Sequence, residues 1–138
     1  MRVLALFLLL SGCASPMMPS VEQASPTELQ ALACGEENAS QCGEVVAVYD
    51  HVSQTMYLPK IWTKKELTDY RQSVLVHEFV HHVQGLRGEH LTKCSGDRER
   101  EAYQAQMAYL KAKGHEDPME LMGIGPIMYM AVTTCGWN

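Results

Sequence analysis

Apolar and polar positions alternate along this chain in short, distinct regimes. Val3 to Leu10 is an unbroken apolar run behind Arg2. It is too short to span a bilayer and suits the apolar segment of an export signal. Residues 15–25, rich in Pro, Ser and Met, have no periodicity and read as a tether. Pro26 to Ala33 reads as a short helix with proline at its start, and 36–43 as a polar loop. Val45–Tyr49 and Thr55–Leu58 read as two strands joined through 50–54, with Pro59 ending the second. Thr63-Lys64-Lys65-Glu66 has capping-box spacing, and a helical pattern follows it to about Leu86, with a possible break near Thr68-Asp69. A further helix is expected over about 97–113, a short one after Asp117-Pro118, and a last apolar stretch over 127–134.

Few strands and several helices make the fold class α+β: a mainly helical compact core with a short β-hairpin before the longest helix. A chain of 138 residues suggests one domain. We expect 1–12 to be a signal peptide, 13–25 a flexible tether, and 26–138 the folded domain. The formal net charge of −5, without a Lys/Arg cluster, argues against a nucleic-acid partner.

The first 13 residues resemble a bacterial lipoprotein signal, with Leu10-Ser11-Gly12-Cys13 as the lipobox. The resemblance implies cleavage before Cys13 and lipid attachment to it. It implies a bacterial envelope protein facing the periplasm. Ala14 carries no acidic retention signal, so an outer-membrane anchor is the expectation. Cys34, Cys42, Cys94 and Cys135 remain, an even number that in an exported domain suggests two disulfides. Three pairings are possible; Cys34–Cys42 with Cys94–Cys135 is favoured. A four-cysteine zinc site would need CxxC spacing, which is absent.

The chemistry is concentrated in His77-Glu78-Phe79-Val80-His81, an HExxH motif. At about 100° per residue, His81 stands about 40° from His77, so both imidazoles share one helix face. Neutral imidazoles one turn apart offer Zn²⁺ a bite that a tetrahedral ion accepts. Glu78, about 100° round the helix, suits an acid/base beside the ion better than a ligand. Leu75, Val76, Phe79, Val80, Val83 and Leu86 form an apolar arc opposite, expected to pack on the core. His82 lies at the margin of that arc and reads as a hydrogen-bonded structural histidine; Gln84 falls on the ligand face.

For a third ligand the downstream candidates are Glu89, His90, Asp97, Glu99, Glu101 and His115. Glu101 is favoured over Glu99, because Ala105 and Ala108 follow on its side and would let two helices approach. Tyr103, His115 and Tyr129 are unranked candidates for stabilising an oxyanion.

HExxH followed by a glutamate on a second helix resembles the gluzincin metallopeptidases, and Glu99-Arg100-Glu101-Ala102 resembles the third-ligand helix of small, minigluzincin-type members. The resemblance covers about 44–113. It implies a zincin-like core with Zn²⁺ on His77, His81 and Glu101, and Glu78 as acid/base. It also implies a peptide or protein substrate and a hairpin edge lining the cleft. The alternative is a zinc-binding lipoprotein with a structural or protein-binding role and no hydrolase activity. A fourth ligand such as His90 or His115 would mark that case.

Overall fold

The computed structural model describes residues 18–62 and 67–136. The signal, Cys13, the capping-box residues 63–66 and Trp137 therefore lie outside the described residues. The protein is α+β, about 59% helical with one three-stranded sheet.

The first departure from the sequence reading comes at once. Ser20–Ala24 forms strand β1, inside the stretch assigned to the tether. It pairs in parallel with β3 (Thr55–Pro59), from Ser20 opposite Thr55 to Ala24 opposite Pro59. The segment lacks its own periodicity because only Ala24 is buried; its backbone, not its side chains, joins the fold. Ser25 then caps α1 (Pro26–Cys34), and a reciprocal bond from the Ser25 backbone N–H to Glu28 completes a capping box. A short 3₁₀ turn at Glu36–Gln41 follows. Cys34 and Cys42 are disulfide-bonded across it, and Cys94 is bonded to Cys135, the pairing favoured from sequence.

The expected hairpin is present but shifted. β2 covers Val48–Asp50 and runs antiparallel to β3. In the connecting turn the Asp50 carboxylate accepts from the backbone N–H groups of Val52 and Ser53. The strand order is β1-β3-β2, which leaves β2 at an edge. Helix α1 packs on β2 and β3, and Leu29 and Met56 are buried there.

The second layer is helical. Thr68 caps α2 (Asp69–Leu86) by accepting from the Arg71 N–H. A single turn, α3 (Glu89–Thr92), leads to α4 (Ser95–Ala112), which begins two residues before the expected start, with Cys94 as cap. Asp117 caps α5 (Pro118–Met122), and α6 (Pro126–Thr133) lies on α4. Gly96 permits a close crossing there. A Cβ on it would stand 2.6 Å from the Thr134 carbonyl carbon.

The dominant packing is α2 against α4, and it inverts one expectation. The most buried residues of α2 are Ser73, Val74, His77, Glu78, His82 and Gln84. The apolar arc of Leu75, Val76, Phe79, Val80 and Val83 is only half-buried, and Leu86 is exposed. The main helical partner of α2 among the described residues is α4, and it lies on the polar face; α3 makes a lesser contact. On α6, Met128 and Met130 are exposed.

Candidate metal centre

Helix α2 presents His77 and His81 one turn apart, and α4 faces them with Glu99, Ala102, Tyr103 and Gln106 along one side. Ala102 is fully buried and supplies the small contact that brings the helices together. The two histidine Nε2 atoms are 3.1 Å apart. The two Glu99 carboxylate oxygens reach them, one at 3.3 Å from His77 Nε2 and the other at 3.3 Å from His81 Nε2. Donors bound about 2.0–2.1 Å from a tetrahedral zinc ion stand about 3.3 Å from one another. The three side chains therefore already hold the separations that such an ion requires.

The outer nitrogens explain why these lone pairs converge. His77 Nδ1 lies 3.0 Å from Gln106 Oε1, and His81 Nδ1 lies 2.9 Å from Gln84 Oε1. Neither amide is free to turn round. Gln106 donates its NH₂ to Ser73 Oγ, whose hydroxyl donates to the Tyr70 carbonyl. Gln84 donates its NH₂ to the Arg98 carbonyl and to Glu101. Each glutamine oxygen must then accept from Nδ1–H, which leaves both Nε2 lone pairs pointing at one spot. With both rings neutral, two lone pairs and a carboxylate at that spacing repel unless a proton or a metal cation sits among them.

Glu101, the ligand favoured from sequence, is not gathered with the two histidines; Glu99 is. Glu101 lies about 200° round α4 from Glu99. Its carboxylate is 43% exposed, accepts from Gln84 Nε2 at 3.0 Å and lies 3.8 Å from Arg87. Ala108 is exposed, and Ala102, rather than the Ala105/Ala108 stripe, is the fully buried alanine of α4. Seventeen residues, rather than nineteen, separate His81 from the gathered glutamate. The other proposed ligands lie elsewhere. His115 Nε2 is 3.1 Å from Asp69, and the His90 ring stacks on His51. The remaining gathering of ligand types among the described residues, Cys94, Asp97 and Cys135, has both sulfurs in a disulfide.

Glu78 is buried beside the donors. Burial raises its pKa, the charges of His77 and His81 oppose the rise, Glu99 adds to it, and the Tyr49 backbone N–H donates to the carboxylate. For Glu99, burial acts upward but is outweighed by hydrogen bonds and charge from both histidines, which hold the carboxyl well below its ordinary range. The same contacts from Glu99, with the Glu78 charge and Gln84, raise His81 against the opposing effect of burial. His82 is structural, as expected: fully buried, with Nδ1 2.9 Å from the Tyr49 hydroxyl. Tyr49 thus ties β2 to α2 at two points.

A cleft of about 410 Å³ opens over these groups. One wall is the extended segment Val45–Tyr49; across from it stand Tyr70, Tyr103 and Ile124. Of the oxyanion candidates only Tyr103 is in the cleft wall, its ring 4.6 Å from His77. Burial, then the charges of Glu99 and Glu78, push its phenol to about 12. Tyr129 backs Tyr103, ring against ring. Tyr70 was not foreseen. It sits about two turns before His77 and so shares its face at helical spacing, a signal that was available in the sequence.

Among curated proteins, and among solved structures, none matches this chain. Over residues 12–131 the sequence matches the model of a family described as a domain of unknown function, DUF6647, and the chain belongs to that family.

Proposed function

We propose that this chain is a zinc-dependent peptidase of gluzincin type, with His77, His81 and Glu99 as the metal-holding residues. The observation that carries the reading is the convergence of two Nε2 lone pairs and one carboxylate at 3.1–3.3 Å, with a buried fourth group, Glu78, beside them. Zinc held there supplies Lewis acidity, drawing the pKa of a water towards about 7 and polarising a carbonyl. Glu78 accepts a proton from the attacking water and returns it to the leaving amine, a role its raised pKa suits. The Tyr103 phenol, protonated at neutral pH, is a donor available to the carbonyl oxygen.

A structural zinc site takes four protein ligands. Among the described residues only three ligand residues gather here, and the site opens on a cleft, so the enzyme reading is favoured over a purely structural metal. On its outer side β2 has no strand partner among the described residues, which suits an extended peptide laid along the cleft wall.

The test compares Glu78→Gln with wild type in hydrolysis of a mixed peptide pool. We expect zinc retention with a rate about 10²–10⁴-fold lower. Undiminished hydrolysis would remove Glu78 from the chemistry, and no hydrolysis by zinc-loaded wild type would remove the peptidase reading. The proposal includes attachment to the bacterial outer membrane through a lipid on Cys13, facing the periplasm. Among the described residues no helix is long and apolar enough to cross a membrane, and the paired cysteines suit an oxidising compartment. Labelled palmitate should enter wild type and not Cys13→Ala; equal labelling would refute the anchor.

A further inference from the structure

A second, smaller cavity of about 100 Å³ shares His81 and Glu99 with the metal centre and continues past them to His51, His90 and Arg98. The turn after β2 delivers His51, α3 delivers His90, and their rings stack at 4.6 Å. Arg98 comes from α4, one residue before Glu99. His90 Nδ1, Arg98 Nε and Glu89 Oε2 are shielded from solvent and have no hydrogen-bond partner among the described residues, Glu89 Oε2 having only its ion pair with Lys93. Nor does Arg98 form an ion pair among them. Nearby acids are committed elsewhere: Glu89 to Lys93 at 2.9 Å, and Glu99 to the two histidines. A half-buried guanidinium and shielded, unused polar atoms thus stand beside a candidate catalytic centre. Burial of this kind is unfavourable without an acceptor to complete it.

We propose that this cavity is a subsite for a carboxylate carried by the substrate, held by Arg98 with His90 and His51 beside it. This deepens the peptidase reading and rests on it. A guanidinium fork matches the two oxygens of a carboxylate, and the cavity volume admits that group with a short stem but no large ring. Because the cavity shares walls with His81 and Glu99, the carboxylate belongs to a residue next to the scissile bond. It is either an acidic side chain or the chain's terminal carboxylate.

The experiment uses zinc-loaded protein and matched peptide pairs: Glu against Gln at each residue flanking the bond, and free against amidated C-terminus. One carboxylate-bearing member should be cleaved with kcat/KM at least about tenfold above its neutral partner. Its identity decides between side chain and chain end. Arg98→Met should bring that ratio close to one while zinc stays at one per chain, Arg98→Lys should restore part of it, and His90→Ala should lower it separately. Equal rates within every wild-type pair, or a preference that survives Arg98→Met, overturns the subsite. If wild type cleaves no peptide, the peptidase reading fails on its own, and the cavity is judged by titrating the histidine ring protons with N-acetylglutamate and N-acetylglutamine. Shifts at His51 and His90 with the acid alone, lost in Arg98→Met, support the subsite; no such shifts overturn it.

Discussion

Two glutamates on one helix separate the geometry from the sequence pattern, so zinc affinity across their variants is the sharpest measurement. Glu99 offers one oxygen to each histidine, whereas Glu101 touches the histidines only through Gln84. Zinc binding in small protein sites amounts to about 10–16 kcal/mol over four ligands, or about 2.5–4 kcal/mol per ligand. Glu99→Ala should therefore weaken zinc about 10²–10³-fold. Gln84→Ala removes the acceptor for His81 Nδ1 and frees the ring to turn, a loss of about 10–100-fold. Gln106→Ala should do the same through His77. Glu101→Ala leaves Gln84 still anchored by the Arg98 carbonyl, so its cost should stay below about tenfold.

The assay is competition with a chromophoric chelator on refolded, disulfide-intact protein, backed by metal analysis after dialysis. The order Glu99 first, the two glutamines next and Glu101 last is the expected outcome. A loss in Glu101→Ala equal to that in Glu99→Ala would refute the reasoning, because an exposed carboxylate one bond removed from the ring cannot act as a ligand does. Unchanged affinity in both glutamine variants would show instead that packing alone orients the imidazoles.

Three further outcomes follow from the fold. Gly96→Ala should destabilise the protein by about 1–3 kcal/mol in urea unfolding, since its Cβ would meet backbone at Thr134 and Cys135 rather than a side chain that can move. Replacing Cys94 and Cys135 together, residues 41 apart, should cost about 4 kcal/mol by loop entropy, against about 2.6 kcal/mol for Cys34 and Cys42, 8 apart; a reversed order in thermal melts would contradict that account. The capping-box hydrogen bonds from Ser25, then Lys60, lower Glu28 from 4.5 to about 2. A depressed carboxyl contributes stability that is complete above about 4.5 and is lost as pH falls through about 2. Carboxyl NMR titration should therefore find Glu28 still ionised at pH 3, and a midpoint near 4.5 would deny the cap.

What was legible in the sequence was local. The HExxH helix, the hairpin before it, the Asp117-Pro118 start of α5 and the structural character of His82 each follow from spacing within one element. The misreadings all concern how elements meet. β1 has no side-chain signature, because its contribution is a backbone ladder to a strand more than thirty residues away. Sequence favours Glu101 over Glu99 because helix periodicity ranks the residues of α4 relative to each other, not relative to α2; the side of α4 turned to α2 carries the fully buried Ala102. The apolar arc of α2 misled for the same reason. It marks a face that prefers cover, and cannot say which face α4 will take.

The glutamine pair links these scales. Most of a helix–helix interface of this size would ordinarily be apolar, yet the buried contacts of α2 with α4 run through His77–Gln106–Ser73 and His81–Gln84–Arg98. Polar networks of this kind stabilise only when each member is satisfied. Gln84 and Gln106 each accept from a ring and donate onward along these chains, and the two Nε2 atoms and Glu99 face one another at 3.1–3.3 Å. The same bonds that join the helices hold their donors open to a cation. A metal would then add a third link across the interface, raising stability in proportion to its affinity for the folded state.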